Sequence, residues 1–253
     1  MNIWQASTLG IIQGLTEFFP ISSSAHLILL RPVFSLGEES LLFDVLLHGG
    51  TLFAVLIYLL PQYRKLIKDP LYVLKVLLAT IPAGLFGLLF EKTIEDSLRQ
   101  KHLLIILLLI AVGFIFLLVR EKSARPLENP GFKEAFFIGL FQVFALFPGV
   151  SRSGATILAG LLVGLKREEA VLFSFFLSLT TIGGAFARGV LQLSPGSFFA
   201  STPILAGFLA ALLSGFLACF FLFKIVKNRG LRPFGFYRIA MGIFFLLWLA
   251  FRT

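Results

Sequence analysis

The sequence predicts an all-α, polytopic membrane protein, and three observations carry that prediction. First, 58% of the 253 residues are hydrophobic and 14% are charged, against about a quarter charged in a soluble domain. The mean hydropathy is +0.95. Second, the apolar residues gather into six blocks, 43–60, 72–90, 102–119, 170–192, 203–226 and 234–252, each near the ~20 residues that a spanning helix needs. Third, two further segments, 2–30 and 136–165, are as long as a span but are interrupted by proline and polar residues. Broken backbone at membrane depth is tolerated only inside protein or along a wet cavity. These two are therefore expected as re-entrant helical hairpins within a single integral membrane domain, 1–253.

The connections give the orientation. "PQYRKLIKDP" (61–70), "REKSARPLENPGFKE" (120–134) and "KIVKNRGLR" (224–232) are basic, whereas "FSLGEES" (34–40) and "LSPGSFFASTP" (193–203) carry no Lys or Arg. "EKTIEDSLRQKH" (91–102) is mixed. The positive-inside rule places the basic connections in the cytoplasm, and alternation across six spans agrees. The segment 136–165 then enters and leaves on the cytoplasmic side, and 2–30 can do the same from outside. The net charge of +9 accordingly sets topology, and no nucleic-acid partner is expected. The single cysteine, Cys219, lies in an apolar block, which excludes an internal disulfide and a cysteine metal cluster. The first basic side chain is Arg31, so no secretory signal peptide is expected.

The two broken segments resemble each other. "GIIQGLTEFFPISSSAHLIL" (10–29) and "GLFQVFALFPGVSRSGATIL" (139–158) are identical at seven of twenty positions, including Gln13/Gln142, Ser22/Ser151 and Ser24/Ser153, at an offset of 129. Three spans follow each copy. An odd number of spans between copies makes them face opposite ways, so an inverted repeat of about 1–125 and 130–253 is expected, with its site near the midplane.

Polar residues cluster at both breaks. Pro20 favours a break, and Ser22 can cap the helix after it. Glu17 precedes that break, and Ser22, Ser23 and His26 fall within one turn of each other. A carboxylate, a hydroxyl and an imidazole there can supply a nucleophile and its acid/base partner. At the second break, Pro148-Gly149 is followed by Ser151, Arg152, Ser153 and Gly154. Glycines, free N–H groups and a guanidinium favour an anion, and phosphate suits the arginine fork. Thr156, one turn on, can donate to the same anion. Structural readings compete with these. Serines can be small packing residues, His26 can be an interhelical hydrogen-bonding group, and Arg152 can pair with Glu17 as a structural ion pair. Ionisable groups inside a membrane are costly, however, and function is their default reading.

Other features carry less. Asp44 and His48 are four apart, a spacing open to a metal pair, although a supporting or packing role fits better. Arg188 is expected to snorkel. The 31 phenylalanines are lipid-facing or core bulk.

"QGLTEFFPISSSAHL" (13–27) and "PGVSRSGAT" (148–156) resemble the two signature regions of the bacterial undecaprenyl-diphosphate phosphatase family, also called bacitracin resistance proteins. The resemblance covers nearly the whole chain, "FDVLLHGGTLFAV" (43–55) included. It implies an enzyme of the bacterial inner membrane that removes the terminal phosphate of undecaprenyl diphosphate and so recycles the lipid carrier for peptidoglycan synthesis. It implies Glu17, Ser23, His26 and Arg152 as catalytic residues, with Thr156 following the arginine; Gln13, Ser22, Ser24, Ser151, Ser153, Gly154 and Thr156, at or beside the two breaks, are expected to contact substrate. It also implies a divalent cation, Mg2+ or Ca2+, with Glu17 a candidate ligand, a transporter-like fold, and a possible homodimer. The resembled motif has glutamate or glutamine four residues before its glutamate; here that residue is Gln13, and an amide cannot ionise. Nucleophilic attack by Ser23 (activated by His26 or Glu17), by His26, or by metal-bound water all remain open. The expected topology turns the site toward the periplasm. The alternatives are a transporter or flippase of a phosphorylated lipid, which would need Arg152 without a nucleophile, and a structural scaffold.

Overall fold

The computed structural model describes residues 1–33, 41–63, 68–93, 98, 100–119, 127–192 and 201–252. The connections 34–40, 120–126 and 193–200 lie outside the described residues. Ten helices occur among those described: α1 Ile3–Phe18, α2 Ser23–Val33, α3 Leu41–Leu59, α4 Pro70–Thr93, α5 His102–Leu118, α6 Phe132–Phe144, α7 Arg152–Leu162, α8 Arg167–Gln192, α9 Thr202–Arg229 and α10 Arg232–Arg252. A single 3-10 turn, Leu60–Gln62, follows α3. An isolated bridge between Leu127 and Leu165 ties the approach to α6 to the end of α7.

Local chemistry sets the ends. Asn2 and Gln5 form a reciprocal capping box at the start of α1. Pro20 disfavours helical backbone at Phe19, which is extended, so α1 stops at Phe18. Pro148 and Gly149 (φ 103°) lie in the corresponding break between α6 and α7. Glu168 and Glu169 in the first turn of α8, and Lys227 and Arg229 in the last turn of α9, complement the helix dipoles. Gly230, at φ 63°, ends α9 and turns the chain into α10.

Five of these helices are long and apolar enough to cross a membrane: the stretches 42–62, 70–90, 167–192, 202–229 and 232–251. The sixth block expected to span became α5, a shorter apolar helix of 17 residues. At 1.5 Å per residue that is about 26 Å, just under a typical hydrocarbon core. Large apolar side chains cover the outside: Leu89 and Leu191 are 76% and 85% exposed. A lipid-facing surface has this character, since lipid tails are as apolar as leucine.

The helices pair in a regular way. α1 runs along α9, α6 along α4, α5 along α10, and α3 along both α8 and α9. Small residues let α1 and α9 approach closely. A Cβ at Gly14 would run into the Ser214 hydroxyl and lie 2.5 Å from the Ala211 carbonyl oxygen, and one at Gly10 would meet the Gly207 carbonyl. Gly139 of α6 meets the Ala79 carbonyl of α4 in the same manner. Such contacts are how helices associate without a hydrophobic driving force between them.

A side chain at Gly14 must therefore separate α1 from α9. Gly14→Val is expected to destabilise the detergent-solubilised protein by about 1–3 kcal/mol, the usual effect of overpacking. Gly84→Ala, on α4 with nothing within 4 Å of the new carbon, should leave stability unchanged or slightly higher. Thermal unfolding followed by circular dichroism compares the two.

Candidate active site

Each break ends on a serine with left-handed backbone: φ is 71° at Ser22 and 80° at Ser151, a region that non-glycine residues rarely adopt. Each serine caps the helix that follows. Ser22 Oγ accepts the Ala25 N–H at 3.4 Å, and Ser151 Oγ accepts the Gly154 N–H at 3.2 Å. Each hydroxyl also lies 3.2 Å from a second one, Ser24 or Ser153. All these pairs are related by the offset of 129. The breaks touch. Ser153 Oγ donates to the Phe19 carbonyl at 3.1 Å, and the Gly149 N–H donates to Ser22 Oγ at 3.2 Å.

A third element fastens both. Arg238 on α10 is fully buried. Its guanidinium donates to the carbonyls of Leu109 and Pro20, each at 3.1 Å, and to that of Gly149. Its charge lies 5.5 Å from the Phe116 ring centroid. Three oxygens that the helix breaks and α5 present to the interior are thus satisfied by one planar fork, a task suited to arginine and not to lysine.

Glu17 lies at the end of α1, beside the first break. Its Oε1 accepts Arg152 Nη2 at 3.0 Å, and its Oε2 accepts Ser23 Oγ at 2.8 Å and Gln13 Nε2 at 3.1 Å. The ion pair is mostly enclosed, with side-chain exposures of 14% for Arg152 and 9% for Glu17. A second Arg152 nitrogen reaches the Ser174 carbonyl at 3.4 Å, and the Thr156 hydroxyl bonds both the Arg152 carbonyl (2.9 Å) and the Ser174 hydroxyl (2.7 Å). Helix α8 therefore holds the arginine from behind. Ser23 and Arg152 are themselves 129 apart, so corresponding positions after the two breaks carry the hydroxyl and the cation that meet on one carboxylate.

Not every expected residue joins this cluster. His26 is buried and turned toward α10. Its Nδ1 lies 2.8 Å from the Ser22 carbonyl oxygen, which can only accept, so Nδ1 carries the proton. Its Nε2 then accepts from the Tyr237 hydroxyl at 2.9 Å, with the rings stacked 5.7 Å apart. Ser23 bonds Glu17, and both ring nitrogens of His26 are engaged elsewhere. His48 Nδ1 donates to the Asp44 main-chain carbonyl at 2.9 Å, within its own helical turn, yet its ring lies near enough to Glu17 to interact with the carboxylate electrostatically. Arg188 is exposed. Tyr237, Arg238 and Ser174 were not singled out from the sequence. The signal for Arg238 was available: a charged residue inside the last apolar block, with no acidic residue in that block.

Among the described residues no three His, Cys, Asp or Glu side chains cluster as a metal site. The oxygens around Glu17 still suit a hard cation. Gln13 Oε1 is buried without a hydrogen-bond partner among the described residues, on the amide whose Nε2 donates to Glu17. Magnesium commonly takes one or two protein carboxylates and fills its shell with phosphate oxygens and water.

Residues 6–244 match the family described as Bacitracin resistance protein BacA. The chain is 42% identical over 253 residues to an undecaprenyl-diphosphatase of Caldicellulosiruptor bescii, covering 96% of both. It is 40% identical over 251 residues to undecaprenyl-diphosphatase 4 of Bacillus cereus, covering 97% of both. It is 39% identical over 259 residues to an undecaprenyl-diphosphatase of Geobacter sulfurreducens, covering 96% of both.

Replacing the buried fork tests its place in this arrangement. Arg238→Lys keeps the charge but cannot bridge three carbonyls, and should cost about 3 kcal/mol through unsatisfied buried groups. A fall in the thermal midpoint well beyond that of Tyr237→Phe is expected. An unchanged midpoint contradicts the bridging role.

Proposed function

The chain belongs to the bacitracin resistance protein BacA family, and on that premise we propose the reaction its site performs. It is an undecaprenyl-diphosphatase, a multi-pass membrane hydrolase that cleaves undecaprenyl diphosphate to undecaprenyl phosphate and inorganic phosphate. The carrier lipid so recycled serves peptidoglycan synthesis. The observation that carries the site assignment is the convergence on Glu17 of a hydroxyl from its own hairpin and a guanidinium from the other.

The chemistry follows from that convergence. The diphosphate enters beside Arg152, whose fork turns from Glu17 to the phosphate oxygens, a stronger and often bidentate partnership. Glu17, relieved of the cation, accepts the Ser23 proton on Oε2. Ser23 Oγ forms a bond to the terminal phosphorus as the bridging P–O bond breaks, and undecaprenyl phosphate leaves with the bridging oxygen and its electron pair. Arg152 and the N-terminus of α7 stabilise charge on the transferring group. Glu17 sheds its proton to solvent, takes one from an attacking water, and returns it to Ser23 Oγ as the phosphoserine bond breaks. His26 acts through the backbone, holding the carbonyl of the residue before Ser23 against Tyr237. Gln13 and Thr156 orient Glu17 and Arg152. Ser22, Ser24, Ser151 and Ser153 shape the breaks beside the substrate head, and Gly154 lets the start of α7 pack close against Phe116 and Pro20. Glu17 and Gln13 Oε1 would hold a divalent cation such as Mg2+ or Ca2+, which would neutralise diphosphate charge.

In the membrane, α3, α4, α5, α8, α9 and α10 are the six spans, while α1–α2 and α6–α7 are re-entrant hairpins of an inverted repeat, about 1–125 and 130–253. Three features support this reading: the matched serine caps, the like pairings α1–α9 and α6–α4, and Leu109 and Arg238, which are 129 apart and bonded to each other. The basic connections orient the chain in a bacterial inner membrane with the site toward the periplasm. A homodimer rests on the resemblance alone. A flippase needs an anion-binding arginine but gives the Ser23–Glu17 bond no task.

Phosphate release from undecaprenyl diphosphate by purified protein tests the assignment. Ser23→Ala and Arg152→Ala should each lower kcat by about a hundredfold to a thousandfold while leaving the protein folded. Tyr237→Phe should lower it less than about tenfold, as a group acting through another. Chelation should abolish release, and Mg2+ or Ca2+ should restore it. Wild-type activity in folded Ser23→Ala removes the serine from the chemistry.

A further inference from the structure

The active site leaves the opposite, basic end of its helices unused. There the ends of α5, α7 and α9 and the starts of α8 and α10 enclose a cavity of about 540 Å³. Arg167, Arg229 and Arg232 line it, together with apolar residues that include Phe116, Leu118 and Leu161. Helices both start and end here, so their dipoles oppose, and the field in the cavity comes from the guanidiniums.

Two of those charges are uncompensated. Arg229 and Arg232 have no hydrogen-bond or ion-pair partner among the described residues. Nearby carboxylates are engaged: Glu168 lies 3.3 Å from Lys227, and Glu128 lies 2.7 Å from Lys166. Arg167 is oriented by donating to the Lys227 carbonyl at 3.1 Å. Gly230, with its left-handed backbone, folds the chain so that Arg229 and Arg232 border the same space.

We infer that this cavity binds the phosphate headgroup of an anionic glycerophospholipid from the leaflet at the basic end. Arginines suit phosphate oxygens, and basic pockets between membrane helices recognise anionic headgroups. The apolar wall selects a lipid over free phosphate. Leu118 is 76% exposed and continues the wall onto the lipid-facing surface, where an acyl chain can follow the headgroup out. The cavity volume falls within the range of ordinary small-molecule sites.

Native mass spectrometry of the detergent-released protein tests this with equimolar phosphatidylglycerol and phosphatidylcholine. Wild type should retain phosphatidylglycerol with a preference of about tenfold, from two or more guanidiniums near the headgroup. The Arg229→Gln/Arg232→Gln double variant should fall to near parity. Lys227→Gln, which removes a basic residue outside the cavity, should keep the preference. All three substituted side chains are exposed, and circular dichroism checks that the variants are folded. A preference that persists in the double variant, or falls equally in Lys227→Gln, overturns the site. Inorganic phosphate that displaces the lipid and raises the thermal midpoint only when Arg229 and Arg232 are present overturns the lipid assignment in favour of free phosphate.

Discussion

A charge enclosed by apolar helices needs compensating partners, and the Glu17–Arg152 ion pair meets that constraint across two broken segments. Removing either would leave the other as a buried charge without its counter-ion. The pair therefore fixes the distance between the breaks as well as the chemistry between them. Ser23, Gln13, Ser174 and Thr156 take positions around it: two donate to the carboxylate and two back the arginine. An arrangement of this kind is poised for an anion. A phosphate can replace the carboxylate at the guanidinium, and the carboxylate then becomes available as a base.

Arg238 solves a related problem. Breaking a helix leaves carbonyls without partners, and in a dry interior each carries a cost. One fully buried guanidinium takes a carbonyl from each break and one from α5. The charge that remains rests against Phe116. The two arginines thus divide the labour: Arg238 holds backbone, and Arg152 faces the carboxylate.

Much of this was legible in the sequence because it depends on local chemistry. Proline and glycine mark the breaks, serines mark the caps, and hydropathy marks the long helices. The chance that Arg152 pairs with Glu17 was legible too, since two rare charges in apolar surroundings seek each other. What was not legible depends on tertiary direction. Spacing puts Ser23 and His26 within one turn, but left-handed backbone at Ser22 sets the phase of that turn. Ser23 then faces α1 while His26 faces Tyr237, a residue 211 positions away. The bonds from Arg238 to carbonyls leave no pattern in side-chain types. The length of α5 likewise depends on where its last turn ends, which hydropathy alone blurs.

The stereochemical course at phosphorus tests the central claim most directly. A terminal phosphorothioate made chiral with oxygen isotopes, on an undecaprenyl diphosphate analogue, reports the number of displacements. Attack by Ser23 followed by water gives two in-line displacements, and the account predicts net retention. Inversion would mean that water attacks phosphorus directly, and would contradict Ser23, with Glu17 as its base, as the group that receives the phosphoryl.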